Sequence, residues 1–332
     1  MKANIRQISE LTGFSAATIS KALNGKKGIK KETSDAIFEA ANQLGYRTET
    51  KASKIYLVIF QSSSSSPGNF FHNFILEGVD KQAHKAGLEI TLILLDRNNS
   101  DFFKTIKEIT HDINAYIILV GTGMSEEDYL LFNSAYNRIV IMDGWSKTCN
   151  FPSIAINNEA ISQMAVSLLA KYGHKKIGYI RSILRLPNFQ EREAGFRNAL
   201  HNLGIPFRSD YIVDVPIPME DACKCMNDYL MKHPDHPTAF LAENDFIAIG
   251  ASRGIVQAGL CIPDDISIIG IDDTEYGRME KPPLTTFQVH MATIGELAVT
   301  QLLSLPFDNM PKCKTLVFPD LIERGSVKNI LT

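Results

Sequence analysis

Two sets of residues in this chain combine types and spacings suited to recognition. The first lies near the start, where FSAATISKALNG puts two small side chains, Ala16 and Ala17, one helical turn before Lys21. At the start of a helix laid in a DNA major groove, small residues let the backbone approach the base edges, and a cation one turn on can meet a base acceptor. Thr18, Ser20 and Asn24 add hydroxyl and amide groups within reach of phosphates, as are the open amides of a helix start. The second set is Asp143, Arg192, Asn244 and Asp272, with the aromatics Phe70, Phe71 and Trp145, the only Trp. Carboxylates, amides and a guanidinium bind sugar hydroxyls in pairs, and an aromatic face covers the apolar side of a sugar ring. That mixture suits a polar ring ligand in a concave site.

The first set needs helices. Asn4 can cap one, with Gln7 three positions later as the return partner of a capping box, and Ile5, Ile8 and Leu11 recur at helical spacing. Thr12-Gly13-Phe14 breaks it. Ser15 caps a second helix with Ile19, Ala22 and Leu23 inward, and Asn24-Gly25 ends that one. A third runs from about Lys31 to Leu44, with Ala36, Ile37, Ala40, Ala41 and Leu44 inward, and Gly45 terminates it. Helix, short glycine-containing turn, helix is the helix-turn-helix arrangement, against which stands a plain three-helix bundle. Charge favours the former. Residues 1–54 hold ten Lys/Arg and five acids, a net of +5, so the remainder carries −8 of the chain's −3 total. A basic head on an acidic body points to nucleic acid at the head.

The second set needs strand ends. Apolar runs at Ile55–Gln61, Glu89–Leu95, Ala115–Val120, Ile139–Asp143, Lys176–Ile180, Thr238–Leu241 and Ile266–Ile271 read as strands. Helices are expected to begin near Phe70, Asp101, Glu126, Asn158, Gln190, Glu220 and Asp245. This alternation implies an α/β body with parallel sheets wrapped by helices, whose ligands sit beyond the carboxyl ends of the strands. Asp143, Asn244 and Asp272 fall at such ends, and Arg192 opens the segment REAGF. Taken singly, each could be a helix cap or a surface charge, Asn244 above all.

Other functions find little support. The chain has no phosphate loop, GxSxG elbow or HExxH, so no enzyme and no cofactor is expected. His233-Pro-Asp-His236 is a turn rather than a metal site, and five cysteines at scattered spacing read as incidental thiols in a reducing compartment. No run of about 18 apolar residues and no apolar signal core is present, so a cytoplasmic protein without a membrane span is expected.

NIRQISELTGFSAATISKALNG followed by TSDAIFEAANQLGYR resembles the DNA-binding head of the lactose/galactose-repressor family. PTAFLAENDFIAIG, GLCIPDDISIIGIDD, PPLTTF and REAGFRNAL resemble the sugar-binding core of the same family, related in fold to periplasmic ribose-type receptors. The resemblance therefore spans the chain. It implies a helix-turn-helix domain at 1–46, a linker at 47–54 and a two-lobed, periplasmic-binding-protein-like body at 55–332. Lobe 1 would take about 55–157 and 289–316, lobe 2 about 158–288 and 317–332. By the same resemblance Ala16, Ala17 and Lys21 occupy base-reading positions, within a DNA-facing set of Asn4, Ser15, Thr18, Ser20, Asn24, Lys30 and Thr33. Asp143, Arg192, Asn244 and Asp272 match ligand contacts, Phe70 or Phe71 lies where ring-packing aromatics occur, and Trp145 sits close by. Three departures stand out: Lys21 where many members carry Arg, Lys30 in place of a capping Ser, and Val289 where a ligand-contacting Gln is common.

The resemblance implies a homodimeric regulator of double-stranded operator DNA, a repressor of carbohydrate genes released when a sugar-like effector closes the body and changes head spacing. A co-repressor, an activator, and a phosphorylated effector held by Arg181 and Arg185 are the alternatives. The joint is unusual. Only TETKASK lies between Arg47 and Ile55, about 10 Å if helical, with no large apolar residue to wedge into a minor groove. A short polar strap is expected there rather than a hinge helix.

Overall fold

A computed structural model describes residues 4–23, 28–44, 46, 52–61, 69–112, 114–305 and 312–331, the backbone alone at 31, 42–43, 69–73 and 136–137. Three helices come first: α1 (Ile5–Thr12), α2 (Ala16–Leu23) and α3 (Lys31–Gln43). The capping box forms as the sequence suggests. Asn4 Oδ1 accepts from the Gln7 amide, and Gln7 Oε1 accepts from the Asn4 amide, both at 3.0 Å. Gly13 ends α1 at φ 74, a left-handed conformation that glycine adopts without steric cost. Ser15 Oγ caps α2 by accepting from the Thr18 amide at 3.2 Å. Ile8, Ile19, Ala22, Leu23, Ile37, Ala40 and Ala41 form the core of this head, with Phe38 and Leu44 packed against it. Ala36, expected inward, is half-buried, and Leu11 is 55% exposed.

The body follows in the order β1 (Lys54–Gln61), α4 (Asn69–Lys85), β2 (Glu89–Asp96), α5 (Phe102–His111), β3 (Ala115–Val120), α6 (Glu126–Leu130), β4 (Ile139–Met142) and β5 (Ser153–Ile156). Next come α7 (Asn158–Lys171), β6 (Ile177–Ser182), α8 (Pro187–Asn202), β7 (Ile212–Val215), α9 (Met219–Lys232), β8 (Ala239–Ala242), α10 (Asp245–Gln257), β9 (Ser267–Ile269) and α11 (Glu275–Met279). The chain closes with β10 (Thr286–Gln288), α12 (Met291–Ser304), β11 (Lys314–Val317) and β12 (Asp320–Ile322).

Two compact units result. The first comprises residues 1–64, 71–155 and 291–315, the second 65–70, 156–290 and 316–332. The first is built on a six-stranded sheet, β11-β5-β4-β3-β1-β2, with parallel registers at β1–β2, β1–β3, β3–β4 and β4–β5. The second holds a parallel four-stranded sheet, β7-β6-β8-β9, and an antiparallel pair, β10-β12. Strands such as β4 and β8 are buried along their whole length, as expected where helices cover both faces of a parallel sheet. In the REAGF segment, Gly195 lets α8 approach α7, because a methyl there would stand 2.5 Å from the Glu159 carbonyl oxygen. No described helix is long and apolar enough to cross a membrane.

Candidate DNA-reading face and ligand-facing strand ends

On the head, Ile19, Ala22 and Leu23 anchor α2 in the core, which turns the opposite side to solvent. Ser15, Ala16, Ala17 and Lys21 are exposed there, and Thr18 and Ser20 are half-buried beside them. Ser15 Oγ and Thr18 Oγ1 are 2.9 Å apart. Lys30 is exposed just before α3, and its carbonyl accepts from the Ser34 amide at 3.0 Å, so it supplies the backbone of a cap without a capping side chain. Thr33 is half-buried on the first turn of α3. Asn4 spends its side-chain oxygen on the capping box. Asn24 and Gly25 lie outside the described residues, as do Gly45 and most of the linker, 47–51.

In the first unit the site residues gather at the carboxyl ends of β3 and β4. Asp143, directly after β4, is buried and sits at φ 54. Its N–H donates to the Ile154 carbonyl at 2.9 Å, and its carboxylate accepts from the Thr122 hydroxyl. Gly121 and Gly144 make this possible. A methyl on Gly144 would lie 2.8 Å from the Gly121 Cα, so only glycines let the two strand ends come this close. Trp145 is half-buried, with Lys314 Nζ 3.6 Å from its ring centroid, so the cation lies over the indole. The loop after it is fixed by Glu126, whose carboxylate accepts from Ser146 Oγ (2.7 Å), the Lys147 and Thr148 amides (3.0 and 3.2 Å) and Thr148 Oγ1 (2.8 Å). Burial pushes the Glu126 carboxyl up, but these donors more than offset it and hold it below the ordinary range. Phe70 and Phe71 fall in the first turn of α4, and their side chains lie outside the description.

In the second unit Asn244 and Asp272 follow β8 and β9, Arg192 reaches them from α8, and the side chains of Arg192 and Asp272 are buried, as is Asn244. Arg192 Nε donates to Asn158 Oδ1 at 2.9 Å, Nη1 donates to the Glu243 carbonyl, and Nη2 lies 3.8 Å from Asp272 Oδ1. Its guanidinium lies 5.5 Å from the Phe189 ring centroid. Asn244 is the cap of α10, accepting from the Ile247 amide at 2.9 Å, so its oxygen is engaged and its amide nitrogen is a donor. Asp272 sits at φ 124 and Asp273 at φ 55, and the Asp272 N–H donates to the Phe287 carbonyl at 2.8 Å. Burial pushes the Asp273 carboxyl up, but Arg278 and Arg324 more than offset this and hold it below the ordinary range. Among the described residues, Asp143, Asp272 and Asp273 are the three non-glycines with positive φ, and all three lie at these strand ends. Such conformations cost free energy and persist where surrounding structure enforces them, typically at functional sites. Val289 is buried beyond β10.

Sequence reasoning missed Thr122, Asn158 and Glu243. Asn158 was visible as a helix start, not as the partner of a guanidinium. Glu243 is fully buried, and its carboxylate accepts from the Ser182 amide (2.6 Å), Arg185 Nη1 (2.8 Å) and the Tyr179 hydroxyl (3.1 Å). Burial pushes this carboxyl up to about 7 despite those donors. Arg181 and Arg185 are both engaged with carboxylates. Arg181 makes a fork with Asp214 at 2.6 and 2.9 Å and reaches Glu193 at 3.3 Å, and Arg185 joins Glu243 to Glu193 at 2.9 Å.

Comparison with known proteins places these features. Residues 4–49 match the family described as bacterial regulatory proteins, lacI family, and residues 166–327 match a periplasmic binding protein-like domain. The HTH-type transcriptional repressor PurR of Mannheimia succiniciproducens is 28% identical over 335 residues, covering 99% of each chain. Two solved structures share the fold. A transcriptional regulator CelR–cellobiose complex aligns with a TM-score of 0.73 at 19% identity over 98% of this chain and 100% of that one. The lac repressor dimer bound to operator and the anti-inducer ONPF aligns with a TM-score of 0.72 at 21% identity, covering 99% of this chain and 100% of its own.

Proposed function

We propose, from the match of residues 4–49 to the lacI family of bacterial regulatory proteins and of residues 166–327 to a periplasmic binding protein-like domain, that the chain is a homodimeric transcriptional repressor of that family whose effector is an uncharged, polyhydroxylated ring compound. The head binds duplex DNA through α2, with Ala16, Ala17 and Lys21 at the base edges and Ser15, Thr18, Ser20, Lys30 and Thr33 toward phosphates. Lys21 offers a compact ammonium where a guanidinium would offer a planar fork, so its base readout is less constrained in geometry. The protein acts on DNA in the cytoplasm and carries out no catalysis.

The observation that carries the effector class is the Arg192–Asp272 pair, buried beside Asn244 and held by Asn158 and the Glu243 carbonyl. A guanidinium and a carboxylate locked side by side present a donor edge and an acceptor edge, which is what vicinal hydroxyls require. Asp143 supports an acceptor role in the first unit. Arg181 and Arg185 are both paired to carboxylates, which favours a neutral ligand over a phosphorylated one. The relative that holds cellobiose is consistent with this class.

The deciding experiment is a thermal-shift screen of neutral sugars beside their phosphate esters, since a ligand of the native state raises its apparent stability. Hits are then titrated against a duplex enriched from a random pool. A neutral sugar that shifts the melt and lowers DNA affinity establishes the reading. A phosphate ester that binds while its neutral parent does not would defeat the effector class, and a ligand that tightens DNA binding would reverse the polarity. In this reading the linker is a polar strap, and an ordered helix at 48–54 with a side chain between base pairs in a DNA complex would refute that.

A further inference from the structure

The head is basic overall, yet three of the five acids within residues 1–54 fall on α3 at i, i+3 and i+7: Glu32, Asp35 and Glu39. On α5, Lys104, Lys107 and His111 recur with the same spacing. Residues so spaced share one side of a helix, which makes an acidic stripe and a basic one. The two stripes meet. Lys107 Nζ lies 2.7 Å from Asp35 Oδ2. Phe38, between the two acids, meets the His111 ring edge to face, with centroids 6.3 Å apart at 86°. Asp35 raises the Lys107 ammonium above its ordinary range, and Glu39 adds to this at longer reach. Lys104 turns instead to Asp101, at 3.8 Å. The end of the linker is fixed at the same place: the Ser53 N–H donates to the carbonyl of Asn114, three residues past α5, at 3.0 Å, and the Ser53 carbonyl accepts from the Glu89 amide. With this contact in place, Ala16, Ala17 and Lys21 stay exposed.

We propose that the acidic stripe of α3 and the basic stripe of α5 form a docking surface on which the head seats against the body of its own chain, presenting α2 to DNA in a set orientation. The occupant is the same chain's head, because the tether ends beside α5 and the charges are complementary. Seating reduces the ordering cost of placing α2 on a duplex, in a chain whose joint is too short for a wedge-bearing hinge helix. The functional half of this inference rests on the DNA-reading role given to α2.

The contact itself is tested without DNA. Unlabelled and heavy-nitrogen-labelled full-length chains are mixed, treated with a zero-length carbodiimide and analysed by mass spectrometry. An Asp35–Lys107 isopeptide within one isotope is expected, suppressed at about 1 M salt, where the screening length is about 3 Å. His111→Ala, which leaves both reacting groups in place, should lower its yield severalfold. No such product at low salt, or one found only between isotopes, overturns docking on the chain's own body.

The effect on DNA is read as a sign reversal. In the natural background, Lys107→Glu should weaken binding to a pool-enriched duplex by about fivefold per head, the upper end for one exposed ion pair. In an Asp35→Lys background the same substitution restores an ion pair and should tighten binding. An equal change in both backgrounds, or tighter binding from Lys107→Glu alone, refutes a role for the contact in presenting α2.

Discussion

Replacing Glu243 by Gln should remove a pH dependence that the fold builds into its second unit. Glu243 is fully buried at the end of β8, and its carboxyl titrates near 7 because burial penalises the anion more than Ser182, Arg185 and Tyr179 restore it. A carboxyl in an unfolded chain titrates near 4.5. Between those values the folded state holds a proton that the unfolded state has lost. Stability from this group is therefore full below about 4.5 and declines as pH rises through about 7. The separation corresponds to about 3 kcal/mol, or roughly 6–12 °C in the melting temperature of a unit of this size. Gln keeps the acceptor for the Ser182 amide but does not titrate. Scanning calorimetry of both chains at pH 5 and pH 8 is the assay, with the melt of the second unit compared at each pH. Carboxyls held low, such as Asp273, slope the other way, but equally in both chains, so they cancel in the difference. The natural chain should lose most of the ~3 kcal/mol relative to the variant between the two pH values. A difference that stays constant, or one that moves in favour of the natural chain as pH rises, would show that Glu243 is an ordinary paired carboxylate and that the burial argument is wrong.

The geometry carries three further expectations. Gly144→Ala places a methyl 2.8 Å from the Gly121 Cα and should destabilise the first unit by about 1–3 kcal/mol in urea unfolding, with wild-type stability as the refuting result. Arg192→Ala leaves the Asp272 carboxylate buried without its cation, which should cost about 3–5 kcal/mol and abolish effector response, whereas Asp272→Asn should abolish the response at smaller cost; full calorimetric affinity for the effector in both variants would reject the site. Lys21→Ala should cost about 1–3 kcal/mol and relax preference at one base pair, and a uniform loss over all duplex sequences in a binding-selection assay would reassign Lys21 to phosphate.

The legible part of the sequence was its local repeats. β1, KIYLVIFQ, and β3, AYIILV, announce themselves as apolar runs of six to eight residues, and the capping box at Asn4 and Gln7 is a two-residue signal. The short strands β5, β7, β10, β11 and β12 have three or four residues each. They exist because a neighbouring strand offers a ladder, and nothing in TFQ or DLI says so in isolation. Two further features carry a local signal. α12 has apolar residues at Met291, Ile294, Ala298 and Leu302, a helical spacing, and Pro187 at the first turn of α8 marks a start three residues before the expected Gln190. Within the site, Asp143, Asn244 and Asp272 could be placed because strand ends can be. Their conformations could not, since the positive φ of the aspartates is imposed by tertiary hydrogen bonds to Ile154 and Phe287. Glu243 was invisible because an acid beside a strand usually reads as solvated, and only the converging Arg185, Tyr179 and Ser182 make it interior.

The first unit supplies a continuous frame from Asp143 to the head. Arg138, immediately before β4, donates to the carbonyls of Thr110 and Ala115 at 2.8 Å each and to that of Asp112, so it clamps the C-terminal turn of α5 to the start of β3. Asp112 in turn accepts from Tyr56 at 2.9 Å and pairs with Lys54 at 2.7 Å, where the linker enters the sheet. β3 and β4 run side by side from this clamp to Thr122 and Asp143, which are hydrogen-bonded at the far end. A stiff frame transmits displacement, but contiguity alone is not coupling: an effector shifts the head only by the difference in its affinity for two arrangements. The frame locates where that difference has to be made. On the proposed assignment Asp143 is the carboxylate that meets the effector; it accepts from Thr122 and is held at positive φ. On the proposed assignment of Asp143 to the effector, the Thr122–Asp143 bond and the seating of α3 on α5 are the two ends of this frame between which coupling is to be measured.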